Sequence, residues 1–283
     1  MSWYSKYLSV FEKPYDSNSA NNAIIKIKEN LKKIDSRDPI VSVVVIAYNE
    51  EERLLSCIWS LSENIFNGSF EIIGVNNNST DKTAEIFEKT GIRYFNENKK
   101  GPGHARQCGL DNARGKYYFC IDADTMYPPY YIQTLYNVLQ ENNVLGVCSL
   151  YNYIPDEKHS WLGLKFYILL RDMHIKLQSI KRPEMSVRGA VFAFNIEYGR
   201  KVGFRTDIKR GEDGSLGFGL KKYGKLKFIL NSKARAITSA RTINTDGSFF
   251  NSFKIRFLKY LKNSGSYFHK KDIYKDEESN LIK

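Results

Sequence analysis

Only four cysteines occur in the 283 residues, at Cys57, Cys108, Cys120 and Cys148, and no two form a C-x-x-C pair. That excludes a dithiol redox or metal motif and a disulfide-stapled scaffold. The four are expected to be reduced core residues in a cytosolic compartment. Long hydrophobic runs are also missing. The longest, Trp161 to Leu170, is about ten residues and is broken by Lys165, where a membrane-spanning helix needs roughly 20. Met1 to Val10 holds no apolar core of signal-peptide length, so export is not expected. There is no internal repeat, no low-complexity tract and no linker long enough to separate independent domains. Negative charge is scarce: 31 acidic residues face 43 basic ones, for a formal net charge of +12. Such a balance calls for an anionic partner, whether nucleotide phosphates, an anionic membrane surface or nucleic acid.

With 42% hydrophobic and 26% charged residues, the chain has the composition of an ordinary globular protein able to bury a sizeable core. Strand and helix patterns alternate four times between Val41 and Ile121. The strands are Val41 to Ala47, Phe70 to Val75, Ile92 to Phe95 and Tyr117 to Ile121. Helices are expected over Glu51 to Glu63, Thr80 to Thr90 with Thr80 as N-cap, and His104 to Ala113. This order specifies βαβ units, hence an α/β fold with an open, mostly parallel twisted sheet and right-handed crossovers. Beyond it come a helix at Tyr130–Glu141, a strand at Val144–Leu150, and a long helix at Ser160–Ile180. Further strands are read at Val191–Asn195, Lys225–Leu230 and Ala234–Thr238, with a helix over Gly211–Tyr223. The domain plan is an accessory segment (1–38), a main domain (39–240) split into a nucleotide-binding half (39–125) and an acceptor half (126–240) on the same sheet, and a basic tail (241–283). In the accessory segment Ile24, Ile27, Leu31 and Ile34 form one side of a short helix. The alternative there is a poorly ordered arm.

The chemistry centres on G-K-Y-Y-F-C-I-D-A-D-T-M-Y-P-P-Y, Gly115 to Tyr130. A buried strand ends there in two carboxylates, Asp122 and Asp124, where open α/β sheets place ligands. Two acids so close need a positive partner: a divalent metal, a cationic substrate group or a neighbouring Lys or Arg. Mg²⁺ or Mn²⁺ held against a diphosphate suits them, since both ions use one or two carboxylates plus phosphate oxygens. The loops Tyr48–Glu50, Asn76–Ser79 and Asn96–Gly103 leave the same rim, so a nucleotide can lie across the first two. Arg106, at the start of a helix, can meet anionic or carbonyl oxygen. Each piece alone has a plainer reading: a chance D-x-D, a turn, a solvated arginine. Their order in one strand-loop context makes the combination specific.

The runs V-S-V-V-V-I-A-Y-N-E-E, E-I-I-G-V-N-N-N-S-T-D-K-T and G-H-A-R-Q-C-G-L-D-N-A-R-G-K-Y-Y-F-C-I-D-A-D resemble the successive signatures of the family 2 glycosyltransferases with a GT-A fold. The resemblance is close from Val41 to Asp124 and looser to Arg241. It implies that Ala47, Tyr48, Glu50, Asn76, Asn77 and Arg106 hold the nucleotide, and that Asp124, assisted by Asp122, ligates the metal. The chain departs from the family twice. Asn76-Asn77 replaces a common Asp-Asp pair, which leaves uridine and guanosine donors open. Thr238, Ser239 and Arg241 stand where some relatives supply a histidine to the metal, and Arg241 could meet phosphate instead.

Glu212-Asp213, in R-G-E-D-G-S-L-G-F-G-L, resembles the family's E-D motif below the acceptor pocket. The resemblance implies Asp213 as general base with Glu212 in support; the plainer reading is two acids complementing a helix dipole. Gly189-Ala190 matches a small-residue position that lets the donor sugar approach the backbone. The implied partners are a nucleotide-diphosphate sugar and a glycan or lipid-linked acceptor, and the implied reaction inverts the anomeric centre. The tail carries Lys254, Arg256, Lys259 and Lys262 beside Phe249, Phe250, Phe253, Phe257 and Leu258, with no acid between Asp246 and Asp272. It could dock on the inner face of an anionic membrane or pack its aromatics on the core. A nucleic-acid module lacks any binding motif here, and a nucleotidyltransferase lacks the expected glycine- and lysine-rich phosphate loop. A non-catalytic sugar-nucleotide binder would not need both Asp124 and Asp213.

Overall fold

The computed structural model describes residues 2–34, 37–155 and 161–239, side chains at 161 and 162 excepted. The fold grows from β1 (Val41–Ala47), whose valines are buried on both faces, as a central strand requires. β2 (Phe70–Asn76), equally buried, pairs parallel to it on one side. On the far side of β2 lies β3 (Arg93–Asn96), whose end residues are exposed. β4 (Tyr117–Asp122) pairs parallel to β1 on the other side.

Three helices connect these strands: α2 (Leu54–Ser62), α3 (Thr83–Thr90) and α4 (Pro102–Asn112). They follow α1 (Asn18–Leu31), which Ser17 caps by accepting the Ala20 N–H at 3.2 Å. The segment before β1 is packed, not loose. Ala20, Ala23, Ile24 and Ile27 are buried, while Leu31 and Ile34 pack at the edge of the core. The pattern missed Tyr7, Val10 and Phe11, which are buried as well; Tyr7 meets Trp59 edge to face at 5.3 Å. This cover explains a difference in α2. All nine of its residues are buried rather than one inner face, and it begins at Leu54 rather than Glu51. Thr80 is not the cap of α3 either: Asp81 Oδ1 accepts the Thr83 N–H at 2.9 Å.

The later elements are β5 (Thr125–Met126), α5 (Tyr131–Leu139), β6 (Val144–Cys148), β7 (Tyr151–Tyr153) and α6 (Trp161–Lys181). β8 (Phe192–Asn195), α7 (Ile196–Val202), α8 (Glu212–Leu220), β9 (Lys225–Phe228) and β10 (Ala236–Thr238) complete them. The main sheet runs β3-β2-β1-β4-β8-β6-β9. Four of its six pairings are parallel; β8 lies antiparallel between β4 and β6. One expectation is corrected. The second half joins the main sheet only in part: β6, β8 and β9 extend it, while β5, β10 and β7 form a separate three-stranded sheet. β10 falls within the strand read at Ala234–Thr238, whereas β5 and β7, of two and three residues, carry too little alternation to be read from sequence. Among the described residues no helix is long and apolar enough to cross a membrane. Arg241 and the basic tail lie outside the described residues.

Candidate active site

Because β1, β2 and β4 run parallel, their carboxyl ends share one rim, with Ala47 opposite Asn76 and Ile46 opposite Asp122. Above it lies a cleft of about 520 Å³, lined by Ala47, Tyr48, Glu50, Asn77, Arg106, Asp122, Asp124, Glu212 and Asp213 among others. Residues more than 150 positions apart in the chain thus meet in one cavity. Lys100 and Pro102 also line it. The sequence reading placed their loop, Asn96–Gly103, on this rim but singled out neither as a site residue.

Asn76, Gly189 and Ala190 are not in the lining. Asn76 is buried at the end of β2; its amide donates to Asn96 Oδ1 at 2.8 Å and its oxygen accepts the Ser79 N–H at 3.2 Å. It holds the loop. Asn77 does similar work from the cleft wall, donating to the carbonyls of Glu97 (3.2 Å) and Lys99 (2.7 Å) and accepting from Gly101 N–H (2.8 Å). A carboxylate could only accept, so this double role accounts for an amide at the position. Tyr48 is 46% exposed, with Lys100 Nζ 5.6 Å from its ring centre, which leaves an aromatic face open to a planar ligand. Glu50 is buried and pairs with Arg53 at 3.4 Å.

Arg106 is the main departure. It is not solvated: its side chain is 2% exposed and, from the wall of the cleft, bridges two acids. Nη2 lies 2.6 Å from Asp122 Oδ1, and Nε lies 3.0 Å from Asp213 Oδ1 without a well-aligned hydrogen bond. The positive partner that the D-x-D pair requires is therefore, for Asp122, built into the chain. Gly189 matters here. A Cβ on it would meet Asp213 Oδ2 at 2.1 Å and Arg106 Nη2 at 2.3 Å, so glycine leaves room for the ion pair itself. The Ala190 carbonyl accepts from Tyr127 Oη at 2.7 Å, an internal tie.

Asp213 starts α8 beside Glu212, after Gly211 turns the chain at φ +99°. Burial pushes the Asp213 carboxyl up to about 8; Arg106 opposes the rise and Glu212 adds to it. Burial likewise pushes Asp122 up to about 6, against Arg106 and with Asp124. Asp124 has different surroundings. Its Oδ2 accepts from Ser239 Oγ at 2.7 Å, and its Oδ1 accepts from Thr125 Oγ1 and Thr238 Oγ1, each at 3.2 Å. Thr238 and Ser239, two of the residues found in place of a histidine, thus bind the carboxylate.

Among the described residues no cluster of three or more His, Cys, Asp or Glu could hold a metal by itself. The donor set is one hydroxyl-oriented carboxylate, Asp124, with Asp122 two residues away. That set suits a hard divalent ion that completes its shell with phosphate oxygens and water.

The model of Glycosyl transferase family 2 matches residues 42–198. Glycosyltransferase GlyG of Streptococcus pneumoniae is 28% identical over 149 residues, 50% of this chain and 48% of that protein, so the match spans about half of that relative's length. Two solved structures share the fold. Glucosyl-3-phosphoglycerate synthase from Mycobacterium tuberculosis, in complex with Mn²⁺, UDP-glucose and phosphoglyceric acid, superposes with TM-score 0.52 at 18% identity, over 86% of this chain and 84% of that one. Mannosyltransferase PcManGT from Pyrobaculum calidifontis, in complex with GDP-Man and Mn²⁺, gives 0.56 at 17%, over 90% and 76%. The architecture is the GT-A type that these transferases share. With residues 42–198 matched and the motif residues gathered on one sheet rim, the chain belongs to Glycosyl transferase family 2.

Proposed function

We propose that this protein transfers a sugar from a nucleotide-diphosphate sugar to an acceptor hydroxyl, inverting the anomeric centre with Mg²⁺ or Mn²⁺ beside the donor diphosphate. The observation that carries the reading is the placement of Asp213. It lines the 520 Å³ cleft together with Asp124, and it also lines a second recess of about 350 Å³ with Met185, Arg188 and Arg210. A base between a donor cavity and an acceptor cavity is what displacement at the anomeric carbon needs.

Tyr48 and the loop held by Asn77 would seat the nucleotide, and Asp124 would hold the metal. When bound, that ion neutralises charge developing on the leaving diphosphate. Asp213 takes the acceptor proton on Oδ2, since Oδ1 is the oxygen that faces Arg106 Nε. The raised affinity of Asp213 for a proton serves this role, because it brings the base close to neutral pH. A glycan or a lipid-linked saccharide is the acceptor class. All four cysteines are free, which suits a reducing, cytoplasmic setting.

The test is thermal stabilisation by a panel of UDP- and GDP-sugars with Mn²⁺, followed by the anomeric configuration of the product. Ligand binding to the folded state raises Tm. One donor should stabilise the protein in a metal-dependent way, and transfer should invert. Stabilisation by no nucleotide sugar, or a retained anomer, would overturn the proposal.

A further inference from the structure

Helix α6 is apolar on two opposite sides. Leu164, Tyr167 and Ile175 are buried, and Arg171 lies over the rings of Tyr151 and Tyr153 at 4.6 and 5.6 Å. On the other side Phe166, Leu169, Met173, Leu177 and Ile180 are between 54% and 72% exposed. Their 3-4-4-3 spacing makes one stripe along the helix, about 21 Å long at 1.5 Å per residue. Single exposed apolar residues are ordinary, but five on one helix face mark a contact surface. Exposed Lys165, Lys176 and Lys181 border the stripe. Asp172, the only acid of the helix, turns inward to Arg171 (2.7 Å) and Arg235 (2.6 Å).

We propose that this face of α6 seats on an anionic lipid surface, the helix lying in the interface plane. The charges select that occupant. A second copy docked on the same stripe would set these lysines against their equivalents. Residues 247–271, which carry Lys254, Arg256, Lys259 and Lys262 and no acid, would set further cations against them, the acids Asp272, Asp276, Glu277 and Glu278 following only afterwards. Both pairings repel, whereas anionic headgroups attract the border while the acyl boundary takes the stripe. α6 leads through Arg182 into the turn Pro183–Ser186, and Met185 lines the recess beside Asp213. Docking therefore sets that recess near the lipid surface. This last consequence rests on the transferase reading; the docking does not.

The experiment is co-sedimentation of the full chain with phosphatidylcholine vesicles containing about one-third phosphatidylglycerol, against pure phosphatidylcholine. Salt-sensitive binding to the anionic vesicles alone is expected. Leu169→Glu with Leu177→Glu should weaken it at least about tenfold while leaving Tm and nucleotide-sugar stabilisation unchanged. Should the charged pair lower Tm, Leu169→Ser with Leu177→Ser replaces it. No binding by the unaltered chain, or equal binding by the variant, overturns the proposal. So does loss of binding in Phe253→Glu with Phe257→Glu while the α6 variant still binds, because the tail then makes the contact. A dimer that the α6 variant dissolves, without lipid binding, also overturns it. Vesicle binding is read without donor or acceptor, so its failure leaves the transferase reading standing.

Discussion

Arg106 Nε stands 3.0 Å from Asp213 Oδ1, joining a helix entered at Pro102 to one entered at Glu212 through a buried ion pair. The same guanidinium holds Asp122 at 2.6 Å, so one cation ties the strand-end acid to the acid of the acceptor side. The distance between the end of β4 and the start of α8 is thereby set within the fold itself.

Removing that cation should be costly. Arg106→Leu strands two carboxylates in the cleft wall, and breaking a buried pair costs roughly 3–5 kcal/mol. Urea unfolding should show the loss growing as pH rises through about 8. Near pH 5 the loss should shrink, because Asp122 and Asp213, pushed up to about 6 and about 8, take up protons instead. A loss independent of pH would contradict the bridge.

Gly189→Ala tests the same junction sterically. The new methyl would sit 2.1 Å from Asp213 Oδ2 and must displace it. Overpacking of this kind costs about 1–3 kcal/mol. Turnover should fall further than Tm suggests, while binding of donor on the Tyr48–Asn77 side stays near normal. Unchanged turnover would show that Asp213 can move without consequence.

Ser239→Ala removes the 2.7 Å hydrogen bond that orients Asp124. Partners of a metal-binding carboxylate typically matter about 10–100-fold in metal affinity. Titration of Mn²⁺ in the presence of nucleotide should show a loss in that range with little change in Tm. Unaltered Mn²⁺ affinity would leave Ser239 a packing residue only.

The pH dependence of stability follows from Asp213. Its folded value, about 8, lies above the ordinary 3.8, so the fold favours the protonated form. The stability this contributes is whole below the ordinary value and is lost as pH rises through about 8. Buried Glu71 behaves oppositely: bonds from Ser42 and Arg114 outweigh its burial and hold it below the usual 4.5, so it matters only in acid. Between about pH 5 and 8 the Tm of the unaltered protein should therefore fall relative to Asp213→Asn, whatever their offset. Turnover should rise over the same range and lose that limb in the variant, whose rate should drop about 10²–10⁴-fold. Parallel Tm curves would place the Asp213 titration elsewhere.

The amino-acid sequence by itself determined the first half of the fold and the location of the site. β1, β2 and β4 are long apolar runs whose burial could be read residue by residue, and alternation with helices left a parallel sheet as the solution. Parallel strands put their loops on one rim, so Tyr48, Asn77 and Asp124 could be assigned to one cleft, and the family resemblance added Asp213. Only the tertiary structure decided which side chains line the cleft and which bond to each other. Arg106 pairs with Asp122 and Asp213, which its place at a helix start did not announce, and Asn76 is taken up by Asn96 and Ser79. Ser239 reaches Asp124 across 115 residues, and β5, β7 and β10 are too short to announce their pairing. The physical reason is one of range. Periodicity and capping are local and leave a record in neighbouring residues, whereas an ion pair or a short strand's partner is chosen by distant groups that meet only once the chain has folded.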